Sequence, residues 1–281
     1  MNVKIISAIL VLALASMACG FSVDLPKRSQ PGDEVKESIT VTVPKSEEAR
    51  LTVSFGAGTL KMSPGAGDTL VDGTAVYNFK DLQPEVVKNG NSVEIKQGNF
   101  KNVVNPQDIV NEWDLKLGAM PIDLTINAGA YNGTFELGGL ALTSLTVRDG
   151  AANVDLTFSE PNQTEMSILR YETGASDVKL AGLAHANFST LIFSGGAGSY
   201  TLDFTGTLKR DGVVNVEAGA GDVQLIIPKG LNATVTVESA LVSVNQSSGW
   251  AQNGNEYVQK GEGPELTILV EMAAGNLTIT D

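Results

Sequence analysis

Four glycine-led corners, opening at Gly150, Gly174, Gly196 and Gly219, recur at intervals of 24, 22 and 23 residues. Each hands over to a short run in which apolar and polar residues alternate: Val154-Asp155-Leu156-Thr157-Phe158, Val178-Lys179-Leu180, Tyr200-Thr201-Leu202-Asp203-Phe204 and Val223-Gln224-Leu225-Ile226-Ile227. A second run of the same kind sits elsewhere in the units, as in Ser189-Thr190-Leu191-Ile192-Phe193 and Val213-Val214-Asn215-Val216-Glu217. Period-2 alternation rich in Val, Thr, Ile and Phe marks strands, and no helical periodicity competes with it. Strands that return to the same small-residue corner at a fixed interval predict a parallel β-solenoid (β-helix) with coils of about 22 residues. An antiparallel β-sandwich is the alternative, since its strand spacing is similar, but hairpins do not require one corner sequence at every turn. Stacking coils ~4.8 Å apart would put Phe158, Leu180, Leu202 and Leu225 in one dry column, with Asp155, Lys179, Thr201 and Gln224 facing water. Gly at the corners lets neighbouring backbones approach.

The chain before the repeat carries an address. Residues 1–18 hold one cation, Lys4, an apolar run too short to span a bilayer, and small residues at Ser16-Met17-Ala18, which reads as an export signal. The following Ala18-Cys19 join resembles a bacterial lipoprotein processing site, and Cys19 is the single Cys of the chain. Acylation of Cys19 would tether the protein to a membrane, so that no other membrane segment is needed; secretion after cleavage at Ala18 is the alternative. Residues 19–37, with Pro26, Pro31 and Gly32, form a polar spacer. Residues 38–120 contain strand-like runs and a weaker corner, Gly56-Ala57-Gly58, and are expected to be early coils or a β cap. The repetitive solenoid is assigned to residues 121–281, with further weak copies at Asn132-Gly133 and Ala274-Gly275-Asn276.

The charge balance excludes several function classes. Lys and Arg number 19 against 32 Asp and Glu, a net charge of −13, so nucleic acid is not an expected partner. One Cys and one His leave no Cys-based metal cluster, no two-His metal site and no intramolecular disulfide. His185 has no Gly-x-Ser-x-Gly elbow to serve and reads as a loop histidine. Asn153, Asp177, Ser199 and Asp222 share one corner position; a row of oxygens there could bind Ca²⁺, but short polar side chains more simply cap the turns. Outward Asp155 and Asp203, with Lys179 between, would lie about 9 to 10 Å apart by strand spacing, a separation a glycan-cleaving pair could use. A solvated strand face carries alternating charge for no such reason. Asp155, Lys179, Asp203, Trp250 and Tyr257 are therefore candidates for outer-face binding only, and Trp113, Trp250 and Tyr257 are expected to close the solenoid ends. No catalytic residue, metal or cofactor is expected.

The spaced corners, together with Trp250, Tyr257, Gly261-Glu262-Gly263-Pro264-Glu265-Leu266-Thr267-Ile268 and the closing Ala274-Gly275-Asn276-Leu277-Thr278-Ile279, resemble the bacterial toast-rack family and the related putative-adhesin domains. The resemblance covers residues 111–281. It implies a right-handed β-solenoid on an exported protein, with links to adhesion or envelope-stress sensing, and it brings no catalytic residue. The expected function is that of a membrane-tethered, non-enzymatic, adhesin-like or structural module at the cell surface, with an envelope protein or a glycan as partner. A glycan-active β-helix enzyme and an envelope-stress sensing lipoprotein are the alternatives.

Overall fold

The computed structural model describes residues 29–99, 105–239 and 241–281. The leader expected over residues 1–18, Cys19 and the first part of the spacer lie outside them. The chain enters through β1 (Val35–Thr42), the long bent strand β2 (Ala49–Pro64), β3 (Thr69–Tyr77) and the hairpin of β4 (Pro84–Asn89) with β5 (Ser92–Gln97). After β6 (Asn111–Leu117) come the bent β7 (Ile122–Glu136), a coil broken into β8 (Leu142–Asp149) and β9 (Ala151–Thr157), and three more bent strands, β10 (Met166–Ala181), β11 (Phe188–Asp203) and β12 (Gly212–Ile226). The remainder is β13 (Leu231–Glu238), β14 (Val242–Gln246), β15 (Ala251–Asn253), β16 (Glu256–Gln259) and the long β17 (Glu262–Thr280).

These strands stack in parallel, as the repeat predicts. β2 pairs with β7, β7 with β8 and β9, these with β10, and β10 with β11, β11 with β12 and β12 with β17. Parallel ladders over every repeat coil are incompatible with an antiparallel sandwich. Each coil is a strand bent at its glycine corner, which gives two sheets meeting along one edge; turns such as the 3₁₀ segment Leu183–Ala186 close the third side.

Registration builds the core as columns. Leu51, Leu124, Leu145, Leu169, Leu191, Val214 and Ile268 occupy one position in successive layers, and all are fully buried. Beyond the corner, Leu180 has Leu202 and then Leu225 above it, and Leu156 beneath it. Leu156 thus takes the place that alternation assigned to Phe158, which is buried two residues further on, where its N–H donates to the Ala181 carbonyl at 2.9 Å. Runs of alternating residues show which side faces in, but not which of two like-facing residues meets its neighbour.

The corner glycines answer to a steric demand. A Cβ added at Gly196 would stand 2.4 Å from the carbonyl oxygen of Gly174, and one at Gly219 would stand 2.5 Å from that of Gly196. Layer rests on layer at this point through bare backbone, and the repeat length is the chain needed to come back to it.

Both ends are covered. β2 carries β5 and β6 on its free side, with β4, β3 and β1 added antiparallel beyond them. Trp113 of β6 is buried there, edge-to-face on Phe55 at 5.2 Å. At the far end β16 and β15 add antiparallel to β13, and Tyr257 of β16 is buried. The far end also departs from chain order: β13 and β14 pair with β17 and not with β12, so the last strand of the chain lies one layer in from the end.

Gly196→Val is expected to lower stability by about 3 kcal/mol or more, because the obstructing atom is backbone. The neighbouring exposed Ala197→Ser should stay within about 0.5 kcal/mol of the parent. Guanidinium unfolding followed by circular dichroism checks both.

Candidate functional site

The outward residues two places before Gly150, Gly174, Gly196 and Gly219 fall in one row, which Glu271 and Glu238 continue. Reading up the stack, the row is Arg148, Glu172, Ser194, Glu217, Glu271 and Glu238. A groove of about 810 Å³ runs along it, with its other wall formed by Gly195, Gly196, Ala218, Gly219, Met272 and Ala273. The corners have almost no side chains, so the backbone recedes there and leaves the row standing as a rim.

Charge is distributed unevenly along the groove. At the lower end Glu172 is held by Arg148 at 2.9 Å and by Arg170 at 3.2 Å. Farther up, Glu217, Glu271 and Glu238 occupy three consecutive layers, are exposed, and take part in none of the ion pairs among the described residues. Layers are ~4.8 Å apart, so these carboxylates repel one another with no internal cation to relieve them.

Asp149 lies at the lower end of the groove, half-buried, and ties three coils together. It accepts hydrogen bonds from Tyr171 Oη at 2.7 Å, Tyr131 Oη at 3.3 Å, Thr173 Oγ1, and Ser176 Oγ at 3.5 Å. Thr173 Oγ1 also lies within hydrogen-bond distance of Ser176 Oγ, at 2.6 Å, and Ser176 Oγ accepts from the Ala152 N–H at 2.9 Å. Tyr171 packs on Phe193 at 5.7 Å and Phe193 on Tyr200 at 4.9 Å, so aromatic rings line the inside of the corner. Gly195 leaves room for the Tyr200 ring, since a Cβ there would meet it at 2.5 Å.

Burial, reinforced by the charge of Asp149, raises the phenol pKa of Tyr131 and Tyr200. The Tyr171 phenol is raised by burial first, then by its contacts with Tyr131 and Asp149. Tyr77, far from the groove, is pushed up to about 12 by burial and by its hydrogen bond to Glu37.

The residues singled out in the sequence are dispersed. Asp155 and Lys179 are exposed and adjacent in register, in a row that continues to Thr201, Gln224 and Thr278, and they form no ion pair among the described residues. Asp203 lies two residues beyond Thr201, at the end of β11, where its carboxylate accepts from the Thr205 N–H at 2.8 Å. Two layers and two residues separate the Cα atoms of Asp155 and Asp203 by roughly 12 Å. Trp250 is half-buried against the core, and the Tyr257 hydroxyl accepts from Gln252 Nε2 at 3.2 Å. Asn153, Asp177, Ser199 and Asp222 do share one row, which Asn276 extends by donating to Asp222 at 2.7 Å. His185 is half-buried in its 3₁₀ turn and donates from Nδ1 to the Phe158 carbonyl at 3.1 Å. None of these lines the groove. The row that does line it went unread, although its signal is present: Arg, Glu, Ser and Glu stand two residues before the four strong corners.

A family model, that of the N-terminal domain of toast_rack (DUF2154), matches residues 30–180. A comparison with curated proteins finds no match. Among solved structures, a putative cell adhesion protein from Clostridium sporogenes is 20% identical with a TM-score of 0.50, over 88% of this chain and 99% of that one. A putative lipid binding protein from Parabacteroides distasonis is 11% identical with a TM-score of 0.40, over 90% of this chain and 99% of that one. A putative adhesin from Bacteroides fragilis is 10% identical with a TM-score of 0.39, over the same shares. The first of these shares the fold.

Phenols whose pKa is raised in the folded state contribute no pH dependence below about pH 10, where they are neutral in both states. Above that the unfolded chain sheds protons that the folded chain keeps, so stability falls as pH rises, for Tyr77 between about 10 and 12. Absorbance titration at alkaline pH is expected to show Tyr131 and Tyr171 ionising only as the protein unfolds. Tyr171→Phe, which removes the 2.7 Å hydrogen bond to Asp149, should lower stability by about 1 to 2 kcal/mol in denaturant titrations at pH 7.

Proposed function

This chain belongs to the toast-rack family, and from that premise we propose that it is an exported, membrane-tethered and non-enzymatic module that binds a positively charged partner at the cell surface. The observation that carries the reading is the groove whose rim bears Glu217, Glu271 and Glu238 in consecutive layers, with no ion pair to a basic residue among the described residues. Carboxylates held at strand spacing on a rigid stack are pre-arranged, so an extended basic segment lying along the groove meets them at little conformational cost. The net charge of −13 draws such a partner in from a distance and holds off an anionic lipid surface.

Tethering is read from the sequence: an export signal over residues 1–18, Cys19 for acylation and a polar spacer to residue 37. Among the described residues no helix is long and apolar enough to cross a membrane. The cell-adhesion description of the Clostridium sporogenes structure agrees with a surface-binding role. No three of His, Cys, Asp and Glu among the described residues come together to hold a metal ion.

The test is calorimetric titration of residues 20–281 with a lysine-rich peptide of about 15 residues. Affinity is expected to fall several-fold between about 50 and 200 mM salt, and at least about tenfold in Glu217→Lys/Glu271→Lys. Asp155→Asn, outside the groove, should change it less than about twofold. Equal binding by the double variant and the parent would remove the reading.

A further inference from the structure

The sheet that precedes the corner is not polar across its outer face. In the layers of β10, β11, β12 and β17 its outward residues include Ile168, Ile192, Val213 and Leu269, which alternate between two neighbouring rows and so form a zigzag stripe up the stack. Val213 is 48% exposed and the other three are half-buried. Successive members are diagonal neighbours, one layer and two residues apart, with Cα atoms separated by roughly 8 Å. After the corner, the same four strands present two outward rows that run from Asp177 and Lys179 to Asn276 and Thr278 without an aliphatic residue. Both sheets share the same ladders and layers, so stacking does not call for the stripe, and solubility is served by leaving it out.

The stripe runs beside the acidic rim. Leu269 stands two residues before Glu271 on β17, and Asn215 two before Glu217 on β12, so the nearer row of the stripe lies parallel to the glutamates at about 7 Å. Val213 and Leu269 share their layers with Glu217 and Glu271. Lower down the two features part, because the place beside Glu172 is taken by Arg170, which pairs with that carboxylate at 3.2 Å. Unpaired acids and aliphatic side chains thus coincide in the upper layers, and together they define the chemistry of whatever covers this face. A second copy of the chain is opposed, since it would bring a further net charge of −13. A partner with cations along one edge and aliphatic groups along the other satisfies both features.

We infer, resting on the reading above that the rim binds a positively charged partner, that the occupant is an extended peptide segment in which basic and aliphatic residues alternate. Successive side chains of an extended chain turn to opposite sides. With that chain lying along the stack between the two rows, its Lys or Arg side chains meet Glu217, Glu271 and Glu238, and its aliphatic side chains cover Ile192, Val213 and Leu269. The acids select for charge and the stripe selects for pattern, so a segment that is merely basic binds less tightly than an alternating one of the same charge.

Calorimetric titration of the full chain with two peptides of about ten residues and equal charge, one alternating Lys and Val and the other Lys and Ser, tests this. The Lys-Val peptide is expected to bind at least about fivefold more tightly. In Val213→Ser/Leu269→Ser, which leaves the core and the glutamates in place, that advantage should shrink below about twofold, while the Lys-Ser affinity stays within about twofold of the parent. Asn215→Leu, which closes the gap between Ile192 and Leu269 in their row, should widen the advantage by at least about twofold. Equal affinity of the parent for the two peptides would overturn the inference and leave the acidic site standing. An advantage that neither variant alters, or a loss of both peptides together in the double variant, would also overturn it. Binding of neither peptide to the parent would remove the acidic site along with the inference. Sedimentation that shows a parent dimer dissolved by Val213→Ser/Leu269→Ser would assign the face to a second copy and overturn the inference as well.

Discussion

Backbone resting on backbone at the glycine corners is the constraint on which this structure depends. Columns of Leu, Val and Ile would hold together in many arrangements, because apolar contact is not directional. The corner is different. With Gly174 beneath Gly196 and Gly196 beneath Gly219 there is room for a hydrogen atom and nothing larger, so one register survives and the others are excluded. That register in turn aligns the columns, sets two flat sheets at a fixed bend, and stands the outward residues of successive coils in straight rows.

The groove and the buried network beneath it are two consequences of that corner. Outside, the absence of side chains at Gly196 and Gly219 opens a channel beside the row from Arg148 to Glu238. Inside, the space left by Gly195 is taken by the ring of Tyr200, and Asp149 gathers hydroxyl donors from β7 and β10. The acceptor oxygens of Asp149 are taken up by those donors. The three glutamates higher in the groove have no such donors, which is why they remain available to a partner and Asp149 does not.

Much of the fold was legible because it is written as a period. The glycines at 150, 174, 196 and 219, and the alternation that follows each, were enough to predict parallel coils and to separate inward from outward residues. Alternation could not place Phe158 against Leu156, since both face inward and only the hydrogen-bonded register tells them apart. It also could not foresee that β17 sits on β12, because the repeat encodes distance along the chain, whereas the neighbour of β12 is the last strand and not the next coil. The site was less legible than the fold. Asp155, Lys179 and Asp203 drew attention as charges on strands, whereas the groove belongs to residues read relative to the corner, and Glu238 has no corner glycine to mark it.

Every coil from β10 to β12 offers its neighbours above and below the same interface, and this has a bearing on how such a protein can grow. A tandem duplication of one unit of 22 to 24 residues would slip into the stack as an additional storey, with both floors already matched. Its pre-corner residue would add one rung to the row, a carboxylate where the unit carries Glu172 or Glu217 and a hydroxyl where it carries Ser194, so lineages could lengthen or shorten that row by gene slippage without redesigning either terminus.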